Sequence, residues 1–259
     1  MGLPNADRVV DDAYHLSHGE CVHRVTGIAT CLLVVALVAS VAAGVASGST
    51  GAAVSPQALY RESLAAGHAQ QSVHWTSRAS GGGALVAMTC DVGRTAGIQR
   101  ISYSGGGRSG KATVLVVGGN AYLRGDAFTL TGFMGLNEAA ATKYANAWVE
   151  IPRGDRRFAA VAAGVTLHSA VDQVEMVAPF RALPAVSVHG QKALAIAGVT
   201  PGKQSAAVVF YARPAAPHLP VGAASKAAGY ATSIFFSRWN EQVRVARPAH
   251  AVPIAQTGL

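Results

Sequence analysis

The spacing of apolar positions changes along the chain, and each change predicts a different element. No charged residue occurs between Arg24 and Arg61, and residues 27–46 are a continuous apolar run. As a helix this run would extend about 30 Å, the thickness of a bilayer core. Ser55-Pro56 then supplies an N-cap followed by proline at the first helical position, and Gly67 supplies a stop, which predicts a short helix over 56–66. From Ser72 the period falls to two. Residues 72–80, 84–92, 97–104, 111–117 and 120–124 alternate or run apolar between Gly-rich turns, which predicts hairpins in an antiparallel meander. The alternation lapses over 126–146, where Phe128, Leu130, Phe133, Met134 and Leu136 lead into a helical stretch, and a strand is expected again at 148–151. Helical spacing of Leu167, Val171 and Val174 returns between 156 and 180, with Pro179 as its end. Further strands are expected at 185–190, 192–198, 205–212, 218–221, 230–237 and 242–247. The tail 248–259 has no pattern and is expected to be flexible. The organisation is a leader at 1–24, an apolar segment at 25–46, a small-residue linker at 47–54 and one α+β domain over 55–247.

Composition sharpens this picture. The chain has 259 residues, 50% hydrophobic and 13% charged, which excludes a disordered or collagen-like protein. Aromatics are only 7%, so a core must be built from small side chains over a large area, which suits a sheet. The net charge is +8, and since residues 1–24 hold two arginines against four acids, the excess lies in the remainder, with 19 basic and 9 acidic residues. Such a surface favours anionic surroundings such as phospholipid headgroups or acidic wall polymers.

The apolar segment has two readings. It is a retained transmembrane anchor with the N-terminus inside, or a signal peptide for which Val41-Ala42-Ala43 and Gly44-Val45-Ala46 offer small residues at cleavage spacing. A start near Val22 would leave His23-Arg24 as a short basic leader and make the segment an ordinary signal peptide. On either reading the domain lies on the extracytoplasmic side, in the cell envelope. Of the three cysteines only Cys90 falls in that domain, so no disulfide forms within it, and Cys31 stands near the start of the apolar run, the wrong place for lipidation.

The order of elements resembles the LolA/LolB-like superfamily, in particular the exported lipid-carrying lipoproteins of actinobacteria. The residues that carry the resemblance are the opening helix at 56–66, the hairpin VLVVGGNAYLRG at 114–125, the strand AWVEIP at 147–152, and AAVVFYARPAAPHLPV at 206–221 followed by SIFFSRWNEQVRV at 233–245. The resemblance implies a curved antiparallel half-barrel with helices across its concave face and an apolar ligand between the two layers. The lipobox cysteine of such lipoproteins is missing, so a tether here would be the N-terminal helix.

An apolar ligand needs a dry surface, and the large apolar residues of the strands and of the covering segment are the candidates for lining it: Trp75, Met88, Tyr103, Tyr122, Phe128, Phe133, Met134 and Leu136. Each serves equally well as plain core. Arg153, Arg156 and Arg157 form the one arginine cluster and are the candidates for meeting anionic headgroups.

Other motifs carry less. Gly105-x4-Gly110-Lys111 imitates a phosphate-binding loop, but Ala112 replaces the required hydroxyl residue and a strand follows where a helix is needed. His15, His18, Cys21 and His23 lack the second half of a metal site, so no metal or other cofactor is expected. His68, His74, His168, His189 and Cys90 fall in no arrangement that fixes a nucleophile and a base, so no catalytic residue is assigned. The arginines lack the aromatic interleaving of a nucleic-acid binder. The expectation is a non-enzymatic, membrane-associated binder or carrier of a lipid or other apolar molecule; the alternative is a membrane-anchored envelope sensor or protein-interaction module on the same fold.

Overall fold

The computed structural model describes residues 54–202, 206–227 and 229–258. The leader at 1–24, the apolar segment at 25–46 and the linker up to residue 53 lie outside the described residues. Among the described residues no helix is long and apolar enough to cross a membrane.

Helix α1 covers Pro56–His68, with Pro56 in its first turn and Ser55 Oγ accepting the Ala58 N–H at 3.1 Å. It continues through Gly67, where the missing side chain lets the helix close on Pro220 and Val171. Strands β1 (Ser72–Gly81), β2 (Ala84–Gly93), β3 (Gly97–Gly105), β4 (Arg108–Val117) and β5 (Asn120–Gly125) follow as an antiparallel meander. Three of the turns are Gly-Gly pairs, 82–83, 106–107 and 118–119, with all six φ angles between 56° and 82°. Only residues free to take positive φ at both positions make these tight hairpins. The 106–107 turn leaves Lys111 inside β4, so the imitation phosphate loop is an ordinary hairpin.

Helix α2 (Ala127–Met134) is capped by Asp126, whose Oδ1 accepts the Thr129 N–H and whose Oδ2 accepts the Lys111 N–H, both at 2.7 Å. One carboxylate thus starts the helix and pins it to β4. Helix α3 (Glu138–Lys143), strand β6 (Val149–Pro152), and the short helices α4 (Phe158–Val161) and α5 (Leu167–Val171), with a 3-10 turn at Asp172–Val174, complete the insertion. Strands β7 (Val177–Val188), β8 (Gln191–Val199), β9 (Ala207–Ala212), β10 (Pro220–Ala227) and β11 (Tyr230–Ser237) form the second series, and β12 (Val252–Pro253) precedes a 3-10 turn at Ile254–Thr257. All belong to one open, curved sheet in the order β12-β6-β5-β4-β3-β2-β1-β11-β10-β9-β8-β7. Every neighbouring pair is antiparallel except β12 with β6. The architecture is α+β, as expected.

Three expectations change. The strand expected at 185–190 begins at Val177, because Pro179 does not end a helix but lies in an edge strand, where a missing N–H costs no ladder bond. Pro184 falls within the register shift between Leu183 and Val186 of the same strand. Residues 242–247 are not a strand; the segment from Arg238 runs across the back of the sheet, with Arg238 against His74 and Asp91, Val243 against Gly93, and Arg247 on Glu150 at 3.0 Å. The tail that follows is held rather than loose: Val252 pairs with Val149, Ile254 and Thr257 are buried, and Tyr144 Oη donates to the Gln256 carbonyl at 2.8 Å.

The core lies between the helices and one face of the sheet. Tyr60 of α1 meets Phe210 edge-on at 5.1 Å and Phe180 at 5.3 Å. Trp75 Nε1 donates to the Gly164 carbonyl at 3.0 Å. Gly97 admits the Val165 carbonyl so closely that a Cβ would stand 2.1 Å from its oxygen. These contacts define an inner face, toward the helices, and an outer face crossed by the C-terminal segment.

Candidate apolar ligand site

Strand register sorts the inner face into transverse rows, because directly paired residues point the same way. One row runs Phe236, Trp75, Cys90, Gln99, Val114, Leu123, Val149, and every member is buried. The next, toward the tips of the β1–β2 and β3–β4 hairpins, is Ile234, Ser77, Met88, Ile101, Ala112; it is buried except at Ile234. The third row is Thr232, Ala79, Val86, Tyr103, and all four are only half-buried; beyond it, at the tips, lie Tyr230, Gly81 and Ala84, with Tyr230 exposed. Packing by the helices therefore seals one end of the inner face and leaves the hairpin-tip end open. Phe128 of α2 stands over that end with its ring 5.5 Å from Tyr103, and it stays 37% exposed, unusual for a phenylalanine at a helix–sheet junction.

The candidate lining residues separate accordingly. Tyr103 and Phe128 meet at the open end. Met88 lies one row deeper, and Trp75 deeper still in the sealed part. Met134 and Leu136 are buried members of the core, while Phe133 is half-buried against it. Tyr122 lies on the outer face: it pairs with Leu115 and Glu150, its hydroxyl donates to Glu150 Oε1 at 3.1 Å, and the Arg247 guanidinium sits 5.9 Å from its ring. A shift of one residue in parity puts Leu123 inside instead. Ala79 and Val86 face each other across the local β1–β2 hairpin, whereas Thr232 and Ile234 join them only through the distant pairing of β1 with β11; nothing in the sequence says which row is left open.

The arginine cluster lies elsewhere. Asn120 pairs with Pro152, so Arg153, Arg156 and Arg157 follow the end of β6 beside the β4–β5 turn, about 20 Å along the strands from the open row. Arg157 is engaged by Asp155 through two bonds of 2.7 Å, and these bonds hold the Asp155 carboxyl down to about 2. The cation at the open end is Arg108, with its guanidinium carbon 5.9 Å from the Phe128 ring centre.

Groups with catalytic potential are placed differently. Burial pushes the Cys90 thiol far up, so it stays a protonated core residue. His74 Nδ1 pairs with Asp91 Oδ1 at 2.7 Å on the outer face, and the His189 ring lies 4.2 Å from that of Phe235.

The Tyr60 hydroxyl accepts the buried Met176 N–H at 2.7 Å, and burial lifts its ionisation from 10.0 to about 12. Between these values the unfolded chain has lost the proton that the folded chain keeps. The contribution is therefore complete below pH 10 and disappears as pH rises toward 12, up to about 2–3 kcal/mol in all. Chemical denaturation from pH 9 to pH 12 should show a steeper fall for the native chain than for Tyr60→Phe; parallel curves would contradict this placement.

No family model and no curated protein matches the chain. Solved structures do. LprF from Mycobacterium bovis is 14% identical, covering 75% of this chain and 97% of its own, with a TM-score of 0.50. The lipoprotein LppX of Mycobacterium tuberculosis is 18% identical over 74% of this chain and 98% of its own, with a TM-score of 0.48. A putative outer membrane lipoprotein-sorting protein domain from Vibrio parahaemolyticus is 10% identical over 73% of this chain and 92% of its own, with a TM-score of 0.28. The curved sheet with its helices on one face has the fold of LprF.

Proposed function

We propose that this protein is an extracytoplasmic, membrane-associated and non-enzymatic binder of a lipid or other acyl-bearing molecule, held between the sheet and α2. The observation that carries this reading is the gradient along the inner face, from a fully buried row at Trp75 to a half-exposed apolar row at Ala79, Val86 and Tyr103 beneath Phe128. An apolar surface left open at one end of a core attracts acyl chains for the same reason that the rest of the core excludes water. Arg108 at the mouth suits an anionic headgroup better than the distant arginine cluster does. The apolar run at 27–46 supports export and with it an envelope location.

Native mass spectrometry of the full chain purified from its own membranes tests the reading. A bound mass in the range of acyl lipids, removed by organic extraction while the protein stays folded, is the expected result. A chain that carries no such mass and fails to displace a fluorescent fatty acid would overturn it.

A further inference from the structure

His68 closes α1, and a hundred residues later His168 and Asp172 lie one turn apart on α5 and the 3-10 turn that follows it. Their ligating atoms all fall within 4.8 Å of one another. His68 Nε2 stands 3.3 Å from Asp172 Oδ1, His168 Nε2 stands 3.5 Å from Asp172 Oδ2, and the two imidazole rings are 4.2 Å apart.

We propose that His68, His168 and Asp172 form a binding site for a divalent transition metal of the zinc type, which fastens α1 to α5. Ligand atoms at 2.0–2.1 Å from a tetrahedral ion lie about 3.3 Å apart; the imidazoles face the two oxygens of Asp172 at 3.3 and 3.5 Å, and one ligand atom from each residue lies within 4.8 Å of the others, so small side-chain rotations bring all three onto one ion. Two imidazoles and one carboxylate suit zinc, cobalt or nickel better than calcium or magnesium, which prefer oxygen alone. His68 turns Nε2 to the cluster, while its buried Nδ1 has no hydrogen-bond partner among the described residues. The i,i+4 spacing puts His168 and Asp172 on one helix face, and the packing of Gly67 on Val171 sets the distance between the two helices. The exposed side of His168 leaves the fourth position to water.

The test uses the full chain, purified without a polyhistidine tag and stripped of metal, and must separate this site from His15, His18, Cys21 and His23 near the N-terminus. Cobalt should produce the visible absorption of a tetrahedral ion, and zinc should raise the unfolding temperature by several degrees, reversibly with chelator. Both effects should persist when the four N-terminal ligands are replaced by Gln or Ser. Both should weaken at least tenfold in apparent affinity in His168→Gln and Asp172→Asn, exposed positions at which the metal-free fold tolerates the change. Effects that survive in these two variants, or that vanish with the N-terminal replacements, would overturn the proposal.

Discussion

Trp75→Ala is expected to lower stability by about 3–5 kcal/mol, the range for removing a large aromatic from a packed core. Trp75 is 1% exposed at the centre of the sealed row, where it holds the 162–167 segment on the sheet. Its indole closes against Gly164, which adopts a φ of 73° and whose Cβ, if present, would stand 2.8 Å from the ring. Two smaller changes divide the effect. Trp75→Phe keeps most of the apolar contact and removes the donor to the Gly164 carbonyl, so it should cost about 1–3 kcal/mol. Gly97, one row from Trp75 on the inner face, faces the Val165 carbonyl of the segment before α5; Gly97→Ala adds one methyl against that carbonyl, and the backbone has to move away. Denaturant midpoints with unchanged slopes measure all three. A loss under about 1 kcal/mol for Trp75→Ala would mean that this end of the inner face is loosely filled, contrary to the gradient on which the proposed ligand site rests.

Much of this fold is legible in the sequence because it is written locally. Gly-Gly pairs between alternating runs fix the hairpins, and Ser55-Pro56 fixes the start of α1. What is written between distant residues is not legible. Pro179 marks a helix end or an edge strand equally well, and only the sheet order decides between them. The tail lacks periodicity because it is held by one parallel pair, a buried Ile254 and a bond from Tyr144. For the proposed site, large apolar residues are the signal in the sequence, which brings in Tyr103 and Phe128, whose rings lie side by side, but also Tyr122, whose parity places it on the outer face. Val86 and Ile234 are small signals individually, and their importance comes from β1 lying between β2 and β11, a pairing across more than a hundred residues. The His68, His168 and Asp172 cluster is hidden for the same reason.

Val86→Asp should abolish ligand binding, with affinity for a fluorescent fatty acid falling at least tenfold, while the chain remains folded. Val86 points into the open row between Ala79 and Tyr103, so a carboxylate there would have to be desolvated against the acyl chain when ligand binds. Because the position is half-buried in the free protein, the carboxylate keeps access to water until ligand arrives, and the penalty falls on binding more than on folding. Leu85→Asp is the matched control. Leu85 is the preceding residue on the same strand, paired with Ser80 and Ser104, so its side chain leaves the opposite face of the sheet and is 38% exposed. The two variants carry the same charge at nearly the same place in the chain and differ in the face they alter. Binding lost only in Val86→Asp assigns the ligand to the inner face; equal losses would point to a general charge effect at the hairpin tips, and retained binding in a folded Val86→Asp would exclude the open row as the site.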